Sequence, residues 1–277
     1  MSDKKVWFIT GCSSGFGSSL AEHVLAQGDR VVATARDAVK LTRLENKYGE
    51  LVKTVKLDVN DNKQIVAALG EAADTFSRID VIVNNAGYGL VGALEEYTDE
   101  QMHHNFNTNF WGAINLIRHS LPTLRSQNSG HIVNISAAVA ISNEVGFSIY
   151  GAAKAALEIA SEALCWELKP LGIKVTNIVP GPFRTDFIKR SLKRAENRIE
   201  AYDQTAGKFV EFLEKIEGRQ PGDPDKAAEA IFKTVYSENP PLYLYLGSYA
   251  YKAANKKANS ISEELEDWED IGLHTDF

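Results

Sequence analysis

Val6-Trp-Phe-Ile-Thr10-Gly11-Cys-Ser-Ser-Gly15-Phe-Gly17 opens the chain with a short apolar run that stops in a glycine-rich turn. A helical pattern follows at once, through Leu20, Val24 and Leu25 to Gly28. Strand, glycine turn and helix in that order let a pyrophosphate approach the backbone and rest at a helix N-terminus. The spacing Gly11-x-x-x-Gly15-x-Gly17 is longer by one residue in its first gap than the usual dinucleotide fingerprint. Its place directly after a strand makes it a phosphate-binding turn rather than a tight turn alone.

Outward from this unit, the same alternation repeats. The strand Arg30 to Ala35 leads to a helix over Val39 to Tyr48, and Leu51 to Leu57 forms the next strand. A helix over Lys63 to Phe76 precedes the strand Ile79 to Val83. Thr98-Asp-Glu-Gln101 has the form of a capping box and opens a long helix to about Leu124. Gly130 to Ser136 is the fifth strand, a helix from Tyr150 ends near Lys169-Pro170, and Gly172 to Val179 is the sixth. Pro224 to Tyr236 reads as a helix and Leu242 to Leu246 as the seventh strand. Residues 183–220 form an insertion, with one or two charged amphipathic helices expected over 184–217, in a place where substrate lids sit. The pattern predicts a single α/β domain of the Rossmann type: a doubly wound, seven-stranded parallel sheet with helices on both faces.

Of the 277 residues, 44% are hydrophobic, enough for one sizeable core. The net charge of −7 resides in the tail 260–277, which carries Glu263, Glu264, Glu266, Asp267, Glu269, Asp270 and Asp276 and no Lys or Arg. That acidic tail reads as a solvated or frayed end. Nothing global points to nucleic acid. Cys12 and Cys165 give neither a disulfide framework nor metal-ligand spacing, so no metal is expected. The first apolar run is too short for a signal segment or a membrane span, and a soluble, cytoplasmic protein is the expectation.

Tyr150-Gly-Ala-Ala-Lys154 carries the chemistry. Ala153, Ala156, Leu157, Ala160 and Leu164 recur at helical spacing, so Tyr150 and Lys154 share a face. A phenol ordinarily titrates near pH 10, and a neighbouring cation lowers that value toward neutrality. The pair then serves as a proton donor or acceptor.

Thr10-Gly-x-x-x-Gly-x-Gly17, Asp58-Val59, Asn84-Asn-Ala-Gly87, Asn109-Phe-Trp-Gly112, Tyr150-x-x-x-Lys154 and Pro180-Gly181 occur in that order. In this the chain resembles the short-chain dehydrogenase/reductases over nearly all of residues 5–247. Pro182 to Phe187 and Pro241 to Gly247 look like a subgroup with 17β-hydroxysteroid and retinol dehydrogenase relatives and many carbonyl reductases. The resemblance implies that Tyr150 passes the substrate proton. Lys154 would hold the nicotinamide ribose and lower the Tyr150 pKa, and Asn109 would hold a relay water. Gly11, Ser13, Ser14, Gly15, Phe16 and Gly17 would cradle the phosphates, and Asp58 and Val59 the adenine. Asn85, Ala86 and Gly87 would line the adenosine ribose; Pro180, Gly181, Phe183 and Thr185 would cover the nicotinamide. Homodimers or homotetramers built on the helices around 100–124 and 150–168 are also implied.

The end of the second strand selects the cofactor. An NAD site places a carboxylate there and an NADP site an arginine. The chain has Ala35 and then Arg36, whose guanidinium matches a phosphate, so NADP(H) is expected. Asp37 reads as the N-cap of the helix that follows. One residue departs from the family pattern. The substrate-binding serine belongs thirteen residues before the tyrosine, where Ala137 stands; Ser136 is one early. Adjacent strand residues face opposite ways, so Ser136 serves only if the strand has ended, with Ser142 and Ser148 as the other candidates. Leu90, Val91, Val145, Phe147, Phe183 and Phe187 make the expected substrate walls apolar, suiting a small hydrophobic carbonyl or alcohol. Two functions follow: an NADP(H)-linked oxidoreductase, or a dinucleotide-binding sensor or assembly protein with little turnover, which the missing serine favours.

Overall fold

A computed structural model of the chain describes residues 4–277. The first half runs β1 (Val6–Ile9), α1 (Gly15–Ala26), β2 (Arg30–Ala35), α2 (Thr42–Tyr48), β3 (Val52–Lys56), α3 (Asn62–Phe76) and β4 (Val81–Asn84). A short β5 (Gly89–Val91) precedes α4 (Asp99–Phe106) and α5 (Gly112–Ser126), followed by β6 (Gly130–Ile135), α6 (Ser148–Leu168) and β7 (Ile173–Pro180). The rest comprises β8 (Leu192–Arg194), α7 (Lys208–Ile216), α8 (Pro224–Val235), β9 (Tyr243–Leu246), α9 (Gly247–Asp267) and α10 (Glu269–Leu273).

Seven strands form one sheet in the order β3-β2-β1-β4-β6-β7-β9, parallel at every pairing. The side-chain alternation of β1 shows how it is covered. Val6 and Phe8 pack with Ile65 and Ala68 of α3 and Leu116 of α5. Trp7 and Ile9 pack on the other face with Leu20 and Val24 of α1 and Ile231 of α8. A parallel strand buried on both faces must be apolar throughout, and β1 is. Each large side chain so buried contributes about 1.5–3 kcal/mol. The polar residues at the sheet's centre are paired. Asn84, Asn134 and Asn177 stand side by side on β4, β6 and β7. Asn84 donates to Asn134 at 2.8 Å, and Asn134 donates to Ser161 at 2.8 Å.

The strand order reverses between β1 and β4, which opens a crevice beyond the carboxyl ends of the strands. The Gly11 turn, Arg36, Asn85, Ser136 and Gly181 all follow strands at that edge.

The expected capping box is present: Thr98 accepts from the Gln101 N–H, and the Gln101 side chain accepts from the Thr98 N–H. The long helix it opens is interrupted by a π-helical turn at Asn107–Trp111, a feature frequent at functional sites. The expectation of helices through 184–217 is corrected. Only Lys208–Ile216 is α-helical; before it lie a π-helical turn at Phe187–Ser191 and β8. β8 pairs with β5, Gly89 opposite Leu192. That partner lies about a hundred residues away, so local periodicity could not announce it. The tail 260–277 is exposed, as expected of a solvated end, but it is helical through most of its length rather than frayed.

Candidate active site

The crevice is a cavity of about 1160 Å³, larger than an ordinary small-molecule pocket and roomy enough for a dinucleotide beside a substrate. One end is made by backbone. Thr10 accepts from the N–H groups of Asn85 (2.9 Å) and Ala86 (3.0 Å) and donates to the Val83 carbonyl. The Asn85 amide donates to the carbonyls of Thr10 (2.7 Å) and Gly11 (3.2 Å). The glycine turn and the Asn-Asn-Ala-Gly loop are thereby fastened to each other. A Cβ at Gly17 would meet the Asn85 amide nitrogen at 2.4 Å and the Gly11 carbonyl at 2.5 Å, so Gly17 is a close-packing position behind the turn. Gly11, Ser13, Ser14, Gly15 and Phe16 line the cavity itself. Ser14 stands at the N-cap of α1 without a side-chain bond to the helix, which leaves the first N–H groups open toward the cavity.

Arg36 lines the same end, exposed and without a hydrogen bond or ion pair to any described residue. Asp37 caps the following 3₁₀ turn, accepting from the Val39 N–H at 3.2 Å, as its sequence position suggested. Asp58 and Val59 line the cavity; the Asp58 carboxylate accepts from the backbone and side chain of Asn60. Pro180, Gly181, Phe183 and Thr185 close the opposite wall, with the Thr185 side chain 3.7 Å from where a Gly15 Cβ would lie.

The other end is made by side chains. Tyr150 and Lys154 lie on one face of α6 and both line the cavity, although each is nearly fully buried. Rings of Phe147 and Phe187 sit 5.5 and 6.0 Å from the Tyr150 ring. Burial among them pushes the phenol above its ordinary value, so the expected lowering by Lys154 is not what dominates here. The Lys154 ammonium donates to the Ile135 carbonyl at 2.7 Å. Burial brings it down to about 8, against the opposing pull of Glu158. Asn109 lies behind Gly87: a Cβ there would come within 2.5 Å of Asn109 Oδ1 and 3.3 Å of Lys154 Nζ. The Asn109 amide holds the Tyr88 backbone, donating to its carbonyl at 2.9 Å and accepting from its N–H at 3.2 Å. Its position within the π-helical turn turns it toward that loop.

Ser136 and Ala137 both border the cavity, with the Ser136 hydroxyl engaged by a neighbour. The Ser136 Oγ donates to Glu158 Oε1 at 2.5 Å, inside the protein. Ala137 follows with extended backbone and also lines the cavity. Ser142 and Ser148 are not among the lining residues. Of the expected apolar walls, Leu90, Phe147, Phe183 and Phe187 line the cavity. Val91 packs in the cluster around Tyr150, and Val145 is 48% exposed and turned away.

Glu158 escaped the sequence reading. It lies one turn beyond Lys154 on the Tyr150 face, buried, and burial pushes its carboxyl up to about 7 against the Ser136 bond and the Lys154 charge. Its spacing from Tyr150 was the available signal. Glu144 and Tyr249, bonded at 2.5 Å across the substrate end, and Gln220, whose buried Oε1 has no partner among the described residues, also line the cavity. They come from segments distant in sequence, and no motif marks them.

The model of the family described as short chain dehydrogenase matches residues 5–196. The chain belongs to the short-chain dehydrogenase family. It is 38% identical over 270 residues to Oxidoreductase BOA17 of Botryotinia fuckeliana, covering 97% of this chain and 98% of that one. A short-chain dehydrogenase structure from Streptomyces avermitilis matches with a TM-score of 0.94 at 39% identity, over 99% of this chain and 100% of that one. The structure of ElxO with NADP bound matches with a TM-score of 0.73 at 26% identity, over 88% of this chain and 97% of that one. Other structural neighbours carry NAD. This short-chain dehydrogenase is thus an oxidoreductase with a nicotinamide dinucleotide cradle, which the open helix N-terminus and the close-packed glycines fit. Among the described residues, no helix is long and apolar enough to cross a membrane.

Proposed function

We propose that the chain binds NADP(H) and interconverts a hydrophobic ketone or aldehyde with its alcohol, as a carbonyl reductase akin to the 17β-hydroxysteroid and retinol dehydrogenase relatives. The observation that carries this reading is Tyr150, a buried phenol held protonated on the wall of the cavity that the glycine turn also lines. NADPH, when bound, supplies a hydride to the carbonyl carbon. Tyr150 donates its phenolic proton to the oxygen as negative charge develops there, and a raised pKa suits a group that must be neutral before that step. Lys154 holds the ribose and stabilises the phenolate left behind. Asn109 fixes the Tyr88 loop beside both and borders the proton path.

Arg36 takes the 2′-phosphate, supported by its unpaired guanidinium next to Ala35. Gly11, Ser13 to Phe16, Asp58, Val59, Asn85 to Gly87 and Pro180 to Thr185 form the remaining cradle. Residues 183–220 act as the substrate lid, pinned by Gln101, whose amide donates to the Arg194 carbonyl at 2.8 Å. Leu90, Phe147, Phe187, Phe209 and Leu213 give the substrate an apolar seat. Exposed Trp111, Ile159 and Trp166 support a homodimer or homotetramer built on the helices around them. The two free cysteines support a cytoplasmic, reducing location.

Ala137 favours a second reading, a dinucleotide-binding sensor with little turnover. Following NADPH and NADH oxidation against a panel of aliphatic and aromatic ketones, with cofactor binding measured in parallel, separates the two. Turnover preferring NADPH is expected. Tight NADPH binding without turnover on any ketone would establish the sensor instead.

A further inference from the structure

α9 leaves the body of the molecule. Its first turn is packed, with Ala250 buried and the Tyr251 ring 6.0 Å from Tyr245 of β9. From Ile261 onward every residue is exposed. At 1.5 Å per residue the helix is about 30 Å long. Along it and its C-cap, Tyr251, Ala254, Ala258, Ile261, Leu265 and Trp268 recur at alternating spacings of three and four. That is the seam of a helix that lies along another helix. Ile261, Leu265 and Trp268 are 46%, 67% and 62% exposed, so no described part of the chain covers the outer seam.

The two halves of the helix carry opposite charge. Lys252, Lys256 and Lys257 lie in a first half that has no acid between Gly247 and Ser262. Glu263, Glu264, Glu266 and Asp267 follow, with no Lys or Arg. Two such helices laid parallel would set like charges together; laid antiparallel, they set opposite charges together.

The seam is self-complementary in the antiparallel sense. Turned end for end about the point between Asn259 and Ser260, the helix brings Tyr251 to Trp268, Ala254 to Leu265 and Ala258 to Ile261. Each alanine meets a large aliphatic side chain, which lets two helices interdigitate closely. Beside the seam, Lys257 of one helix lies diagonally next to Glu264 of the other, about 3 Å off level, and the pair occurs twice by symmetry. We propose that α9 is an arm that pairs antiparallel with α9 of a second copy of this chain. The pairing draws on none of the cavity residues and is independent of the surface around Trp166.

The test uses the full chain with Cys165→Ser as background, Cys12 being buried. A254C and L265C chains are prepared separately and oxidised mildly, alone and mixed, at micromolar concentration. In the antiparallel pair, position 254 meets 265, but it lies about 16 Å along the axis from its own counterpart. That is beyond disulfide reach. The mixture should therefore give a disulfide-linked dimer and each variant alone should stay single-chain. Lys257→Glu should cut the cross-linked yield several-fold at low salt, and adding Glu264→Lys to the same chain should restore it. Each variant cross-linking alone, with no gain on mixing, would mean a parallel pair and overturn the proposal. No cross-link in any sample, with helical circular dichroism like the parent's, would overturn it as well.

Discussion

The two ends of the cleft are built from different contacts. At the cofactor end, glycines, the Thr10 hydroxyl and the Asn85 amide bind one backbone loop to another within the first 87 residues. At the substrate end, Tyr150 is enclosed by Phe147, Phe187 and Leu213, from three separate segments, and the floor is a chain of buried polar groups, Ser136, Glu158 and Lys154. A cradle of backbone recognises what every dinucleotide shares. A wall of side chains can be rebuilt residue by residue, and here Ala137 stands where the family resemblance implies a serine. The contrast predicts that changes at the substrate end, Lys154 with its proposed ribose contact excepted, alter rate and leave cofactor affinity alone, and that changes at the cofactor end do the reverse.

The largest effect should come from Tyr150→Phe. It removes the proton that is transferred and should lower kcat about 10²–10⁴-fold while leaving the NADPH dissociation constant unchanged. Equal loss of both would break the division between the two ends. Next is Ala137→Ser. A hydroxyl returned to the cavity wall should donate to the developing oxyanion and raise kcat by up to about 10²–10³-fold. Ser136→Ala should instead leave kcat nearly unchanged and lower stability by about 1–3 kcal/mol, because Glu158 loses its buried donor. A kinetic loss in Ser136→Ala without a shift in melting temperature would reverse the assignment of the two positions.

At the cofactor end, Ala35→Asp with Arg36→Ala should weaken NADPH about tenfold to a hundredfold and strengthen NADH, with kcat for the bound cofactor little altered. Competitive binding of the two nucleotides reads this directly. The smallest effect is a pH dependence. Folded Glu158 keeps its proton to about pH 7, whereas its ordinary value is 4.5. Between those values the folded chain binds more protons than the unfolded one, so stability falls as pH rises from about 4.5 to 7. Lys154 acts in the opposite sense higher up: its ordinary 10.5 is lowered to about 8, so stability recovers as pH rises between them. Glu158→Gln should flatten the first limb by a few degrees of melting temperature and extend the second to lower pH, because Lys154 loses the charge that opposes its lowering. An unaltered profile would place the titration elsewhere.

What the sequence by itself determined is everything that depends on short-range pattern. Apolar runs, glycine turns and the Thr98 box located all seven strands of the main sheet and the capped helix, because each leaves its mark within a few residues even where, as for the strands, the burying partners are distant. Those elements shape one end of the cleft, so its lining by Gly11, Ser13 to Phe16, Arg36 and Asn85 to Gly87 was legible. The strand period set Ser136 and Ala137 on opposite sides, and in the structure both border the cavity while Ser136 donates to the buried Glu158. Only the tertiary structure decided the rest. It paired β8 with β5 across the cleft, set Glu158 under Lys154 as partner to Ser136, and brought Tyr249 to Glu144. It also reversed the expected electrostatics of Tyr150. A cation four residues away is visible in a sequence, but desolvation by Phe147 and Phe187 is not, and burial is the larger effect on a phenol enclosed by rings drawn from distant segments.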